Sequence, residues 1–110
     1  MNSIKLLILS LLFVSRIFAQ EDVSLQLLWK HQFEFAGYYI AKEKGFYDDV
    51  GINLEIKEIK PNINVTPEVR ENRATFGIVR TGLLVNIENG DNFVLILSIF
   101  QYSTYVLLIL

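Results

Sequence analysis

Residues 29–47, WKHQFEFAGYYIAKEKGFY, decide how this chain folds. They contain the only Trp and the only His of its 110 residues. The segment begins as an alternating apolar stretch ends, passes through a polar and aromatic loop, and continues with apolar residues at helical spacing. Gly45 follows the helical pattern and is suited to the left-handed conformation that ends a helix. We expect this segment either to contact a ligand or to form part of the core.

Alternation of apolar and polar residues predicts two strands on either side of this segment, over residues 23–29 and 52–57. Between them, the spacing predicts a helix over residues 33–44. Thr66 followed by Pro67 predicts the start of a second, short helix, with a hydroxyl cap and a proline at the first helical position.

The rest of the chain continues the same pattern. We expect a third strand over residues 75–79, a third helix over residues 81–89, and a strand buried on both faces over the apolar run 93–100. Strands that alternate with helices predict an α/β fold with an open, mainly parallel sheet and flanking helices. A transmembrane helix over residues 93–110 is the alternative, and the polar residues near its centre disfavour it.

The composition excludes several classes of function. The net charge is −2, and no basic stripe offers contacts for nucleic acid. Cysteine is absent, which excludes disulfides, thiolate metal sites and a cysteine nucleophile. His31 has no second His or Cys as a co-ligand, so we expect no metal site.

The N-terminus has the layout of a secretory signal peptide, with Lys5 before an apolar run and Ala19 before the expected cleavage point. We expect residues 1–19 to be the signal peptide, residues 20–110 the mature domain, and the location to be periplasmic or otherwise extracytoplasmic. An uncleaved anchor is the alternative, although the apolar run is short for a bilayer. An apolar strand at the end of the chain would be an exposed edge, so we expect the chain to be the front part of a longer protein.

Three polar clusters follow predicted strands, and ligands bind beyond the carboxyl ends of strands in open parallel sheets. They begin at Lys30, Arg80 and Gln101. We expect them to share one edge of the sheet and to form a binding cleft. For Trp29, Phe33 and Phe35, which flank the first cluster, a place in the core is the alternative to contact with a ligand. For Arg80, the alternative is an ion pair with Glu34 or Asp91.

Residues 27–58, LLWKHQFEFAGYYIAKEKGFYDDVGINLEIKE, resemble the opening of the SsuA/THI5-like (NMT1/THI5-like) solute-binding proteins. Residues 75–78 and 99–103 resemble two shorter segments of the family, with Tyr102 where His is usual. The resemblance spans residues 23–110 and implies part of lobe one of a type II periplasmic-binding fold.

The resemblance also implies a function: recognition of a small organic ligand, such as a thiamine-precursor pyrimidine, for an ABC importer. The expected partner is the permease of that importer or a fused sensor module. An extracytoplasmic sensory domain of a histidine kinase or diguanylate cyclase is therefore an alternative, and any link to the membrane would come through the partner or a missing C-terminal region. The expected ligand-binding residues are Trp29, His31, Gln32, Phe35, Tyr38, Arg80, Thr81, Gln101 and Ser103.

The family also contains thiamine pyrimidine synthases, which use pyridoxal phosphate on a lysine and supply their own histidine. Aligned on Phe76 and Gly77, those two positions hold Val79 and Leu83 here. The cysteine-rich motif of the synthases is absent as well. We therefore expect no enzyme activity and no cofactor, with a synthase-like role as the alternative.

Overall fold

A parallel sheet with β1 at its centre organises the first part of the chain. The computed structural model describes residues 20–100 and 102, and the chain divides into two units, Met1–Val79 and Arg80–Leu110. The elements of the first unit are β1 (Glu21–Gln26), a 3-10 turn (Phe33–Phe35), α1 (Ala36–Glu43), a 3-10 turn (Asp48–Val50), β2 (Ile52–Lys57), α2 (Val65–Arg70) and β3 (Phe76–Gly77). The strand order is β2-β1-β3 and both pairs are parallel. The predicted α/β class with an open parallel sheet and flanking helices is confirmed.

The core of this unit lies where β1 and β2 meet the segment that leads into α1. Leu27 is fully buried and Phe35 is 2% exposed, and both pack with Val23, Leu25 and Leu54. Tyr38 and Tyr39 of α1 pack against this cluster from its margin. The aromatic segment therefore anchors α1 to the sheet through Phe35.

Helix α2 lies close against β3 at Gly77. A Cβ atom built at Gly77 would meet Val65 Cγ1 at less than van der Waals distance and would lie 2.9 Å from Val69 Cγ2. Since Gly77 pairs with Gln26 of β1, the side chain of Gln26 lies on the same side of the sheet as α2. Both faces of β1 are thus covered at its carboxyl end.

Ser24 and Thr75 join β1 to β3 ahead of the short strand. The Ser24 backbone N–H donates to Thr75 Oγ1, and the Thr75 backbone N–H donates to Ser24 Oγ, each at 3.1 Å. The Thr75 N–H also donates to the Ser24 carbonyl at 3.1 Å. These contacts extend the pairing of a strand that is only two residues long.

Replacing Thr75 with Val should lower the free energy of unfolding by about 1 kcal/mol, because the Ser24 N–H loses its acceptor while the shape is kept. Urea titration of the full chain measures the change. Thr66→Val is the matched control, since within the described residues the Thr66 hydroxyl makes no hydrogen bond. Equal losses in the two variants would contradict the role given to Thr75.

Several predicted boundaries are wrong. β1 ends at Gln26 and not at residue 29; the Leu27 N–H still donates to the Lys57 carbonyl at 2.8 Å, and the chain then bends into the loop. The helix predicted over residues 33–44 begins as a 3-10 turn, and its α-helical part starts at Ala36. Gly45 does take a positive φ, 75°, directly after the Lys44 cap.

The start predicted for the second helix is also wrong. Asn64 is the N-cap, without a side-chain cap bond, and α2 begins at Val65. Pro67 is therefore the third helical residue, where it is tolerated because the N–H groups of the first turn have no partner within the helix. β3 is shorter than the predicted strand 75–79.

The second unit contains α3 (Leu83–Glu88), which is shorter than the predicted helix 81–89. The strand predicted over residues 93–100 is wrong, because these residues form neither strand nor helix. Their aliphatic side chains are exposed, with Val94 at 82% and Leu97 at 71%. A strand buried on both faces needs neighbours along its edges and layers on its faces, and the described residues of this unit supply one six-residue helix. Across residues 20–100 and 102, we find no helix long and apolar enough to cross a membrane.

Candidate functional site

The three strands of the first unit end side by side. Gln26, the last residue of β1, pairs with Lys57 at the end of β2 and with Gly77 at the end of β3. From β1 the chain moves to one side for β2 and to the other side for β3. Ligands of open parallel sheets bind beyond the carboxyl ends of the strands where the chain changes direction in this way. The loop that follows β1 is at that position.

A buried amide ties the ends of β1 and β2 together. The Gln26 side chain is 2% exposed, and its Nε2 donates to the Leu27 carbonyl at 3.1 Å and to the Lys57 carbonyl at 3.3 Å. Sequence alternation places Gln26 on a polar, outer face. The alternation is misleading because α2 covers that face. Gln26 fixes the point at which the loop leaves the sheet.

The loop after β1 presents Trp29 and His31 at this edge. Trp29 is 56% exposed, and its carbonyl accepts a hydrogen bond from the Ile59 N–H at 3.2 Å. The His31 backbone N–H donates to Glu58 Oε2 at 3.5 Å. The loop is therefore attached to the residues that follow β2, while the Trp29 ring remains accessible.

The His31 ring joins Tyr39 of α1 to Glu58. Its Nδ1 forms a hydrogen bond with the Tyr39 hydroxyl, and its Nε2 lies 3.7 Å from Glu58 Oε2. Burial raises the pKa of Tyr39, and the negative charge of Glu58 raises it further. Neither Tyr39 nor Glu58 is among the site residues predicted from the sequence. The position of Glu58, first after a strand at the edge that carries the predicted site, is the signal that could have found it.

Other predicted site residues of the first unit lie apart from this contact. Gln32 is exposed, and its Nε2 donates to Glu34 Oε2 at 2.8 Å. Phe35 lies in the core, so its ring packs against β1 and β2 and offers no free face. Tyr38 is half-buried beside the core. Phe33, for which both a place in the core and a contact with a ligand were open, is 92% exposed.

The two later clusters cannot be placed beside the first. Arg80 and Thr81 belong to the second unit, where both are exposed and their carbonyls accept from the first residues of α3. Gln101 and Ser103 lie outside the described residues. A shared edge for all three clusters stays a prediction.

A groove lies on the sheet away from the carboxyl edge. It has a volume of about 560 Å³, is open to solvent and is lined by residues of β1, β2 and α1. Lys42 of α1 lies in it, and its Nζ donates to the Leu54 carbonyl at 2.5 Å. This cation is used to cover a carbonyl on the outer edge of β2, a common protection of an edge strand. Within the described residues, no group of His, Asp and Glu side chains could hold a metal ion.

High pH should destabilise the first unit through its tyrosines. Burial raises the pKa of Tyr38, Tyr39 and Tyr47 above the ordinary 10.0, and the charge of Tyr47 adds to the effect on Tyr38. The folded state thus favours the neutral phenols, whereas the unfolded chain ionises them from pH 10.0 upwards. The stabilisation is complete below that pH and is lost as the pH rises through the raised pKa values.

We therefore expect the free energy of unfolding, measured in urea, to fall between about pH 9 and about pH 11. Tyr47→Phe removes one of the three phenols and should make this decline shallower. A free energy of unfolding that stays constant or rises over this interval would contradict the burial of these hydroxyls.

The three-stranded parallel sheet with its flanking helices places the chain among the open α/β folds, in which ligands commonly bind beyond the carboxyl edge of the sheet. The protein-family model described as NMT1/THI5 like matches residues 32–110 of the chain. The chain therefore belongs to the NMT1/THI5-like family, as the resemblance predicted. Searches of curated proteins and of solved structures give no significant match.

Proposed function

We propose that the chain binds a small organic solute at the carboxyl edge of its sheet, with the loop after β1 as one side of the site. The loop after β1 carries both the exposed Trp29 and His31, which contacts Glu58, and this is the observation that carries the proposal. An exposed indole beside polar groups suits a flat heterocycle, which stacks on the ring and exchanges hydrogen bonds at its edge. Membership of the NMT1/THI5-like family supports a role in solute binding or in thiamine-pyrimidine metabolism.

Within that role, the ligand we propose is an aminopyrimidine of the thiamine-precursor class. Its ring would stack on Trp29, and its nitrogen atoms would meet the imidazole of His31 and the carboxylate of Glu58.

Import then requires a permease, so the partner is an ABC transporter or, in the sensor alternative, a fused signalling module. An extracytoplasmic location fits this role. The DNA sequence beyond codon 110 distinguishes a transporter component from a sensor domain. A second lobe ending in a stop codon supports the transporter. A transmembrane span with kinase or cyclase motifs supports the sensor.

The binding proposal is tested by calorimetric titration of the full chain with a panel of aminopyrimidines and sulfonates. Trp29 is the only Trp, so its fluorescence reports on the proposed site directly. We expect heat of binding together with a change in Trp29 fluorescence for a ring compound of the panel. Binding without a change at Trp29 would place the site elsewhere, and no binding to any small metabolite would remove the proposal.

Synthase chemistry does not fit the residues present. The position of the cofactor lysine, two residues after β3, holds Val79, which has no amine to form an imine with pyridoxal phosphate. Leu83, at the position of the histidine, has no ionisable group. We propose that the chain is not an enzyme. Incubation with one equivalent of pyridoxal phosphate should give no imine absorbance band. A band that borohydride reduction and peptide mapping trace to one particular lysine of the chain would contradict this proposal.

A further inference from the structure

His31 has a partner at each ring nitrogen. Nδ1 forms a hydrogen bond with the Tyr39 hydroxyl, and Nε2 lies 3.7 Å from Glu58 Oε2. The two rings meet edge to face, with their centroids 5.7 Å apart and an angle of 75° between their planes. The imidazole is thus held between helix α1 and the residue that follows β2.

These partners are compatible with one neutral form of the imidazole. A carboxylate accepts hydrogen bonds and donates none, so it favours a proton on Nε2. Nδ1 then carries a lone pair and accepts from the Tyr39 hydroxyl. The other tautomer would turn the lone pair of Nε2 towards the negative charge of Glu58. A phenol is protonated at neutral pH and can donate, and the raised pKa of Tyr39 extends this ability to higher pH.

The Nε2–H group lies near the Glu58 carboxylate but does not form a direct hydrogen bond with it. A separation of 3.7 Å from Glu58 Oε2 exceeds the length of a direct hydrogen bond, so the N–H can also donate to a further acceptor. About half of the His31 side chain is exposed, which leaves that acceptor access from solvent.

We propose that Tyr39 and Glu58 are positioning residues that hold neutral His31 as the Nε2–H tautomer, so that the site offers a fixed N–H donor to an acceptor atom of its ligand. The acceptor is a ring nitrogen, a carbonyl oxygen or a sulfonate oxygen. The tautomer is a property of the ligand-free chain, whereas the contact with a ligand rests on the proposed solute-binding function.

Nitrogen NMR of the full chain tests the tautomer, and the spectrum holds one imidazole because His31 is the only His. The spectra are recorded at about pH 9, where a free imidazole carries no charge. We expect Nδ1 to resonate as an unprotonated nitrogen and Nε2 as a protonated one, whereas the same chain in urea should show the averaged shifts of a free imidazole. In Tyr39→Phe and in Glu58→Ala, the shifts should move towards the values found in urea.

Tyr47→Phe is the matched control, since it removes a phenol of the same unit that does not contact His31, and its shifts should equal those of the unchanged chain. Preserved amide dispersion shows that each variant is folded. The proposal would be overturned if the folded, unchanged chain showed the averaged nitrogen shifts of the urea sample. It would also be overturned if the shifts were unchanged in both Tyr39→Phe and Glu58→Ala.

Ligand titration separates this proposal from the function on which it rests. With an aminopyrimidine that binds the unchanged chain, Tyr39→Phe should weaken binding by roughly tenfold, the effect of losing one hydrogen bond. A fixed tautomer in a chain that binds no solute would overturn the proposed function and the ligand contact while leaving the positioning of His31 intact. Tight binding that is equal in the unchanged chain and in Tyr39→Phe would overturn the ligand contact alone.

Discussion

Replacing Phe35 with Ala is expected to lower the free energy of unfolding by about 3–5 kcal/mol, the largest effect of any single change proposed for this chain. Phe35 is 2% exposed and packs among Leu27, Leu54 and the other apolar residues of the sheet. Its removal leaves a cavity at the point where α1 joins the sheet. Since small domains are stable by about 5–15 kcal/mol, a loss of this size removes much of the total.

Urea titration of the full chain, followed by far-UV circular dichroism, measures this change. Phe33→Ala is a matched control in the same 3-10 turn, because Phe33 is 92% exposed. Its effect should stay within about 0.5 kcal/mol. If the two substitutions cost the same, or if Phe35→Ala costs less than Phe33→Ala, Phe35 is not the anchor of α1.

The second large effect is expected at Gly77. Gly77→Ala should lower the free energy of unfolding by about 1–3 kcal/mol, because the added methyl group would overlap Val65 and press on Val69 of α2. The helix must shift away from β3 or its valines must leave their preferred rotamers.

Gly37→Ala provides the contrast, since a Cβ atom at Gly37 meets nothing within 4 Å. Gly37 is the second residue of α1, and Ala is the better helix former, so this change should raise stability by at most about 1 kcal/mol. Adding Val65→Ala to Gly77→Ala should recover part of the loss, with a coupling of about 1 kcal/mol in the double-mutant cycle. Purely additive effects would show that Gly77 and Val65 do not touch.

The sequence predicted the parallel α/β arrangement because its period-two and helical segments alternate clearly around residues 29–47. It could not place Gln26, since alternation describes a strand with one covered face and β1 is covered on both. It also assigned residues 93–100 to a buried strand from apolarity alone. Apolar composition shows that a segment gains by burial, but the pairing of strands depends on partners that a local pattern does not contain.

The candidate site was predicted in part. His31 follows the first predicted strand and Trp29 was predicted to end it, and both lie in the loop at the carboxyl edge of the sheet. Tyr39 and Glu58 were missed, because their contact with His31 depends on how α1 and β2 pack and not on their spacing in the sequence. Phe35 shows the reverse: it was expected to bind a ligand, whereas its ring completes the core.

Amide and indole NMR shifts, followed during titration with an aminopyrimidine, locate the solute site on the chain. We expect saturable shifts at the Trp29 indole, at the His31 amide and at Glu58, the residues beyond the carboxyl ends of β1 and β2. The groove around Lys42 serves as an internal control, and its residues should not move. Shifts confined to that groove, or no shifts with any compound that binds, would contradict a solute site at the carboxyl edge of the sheet.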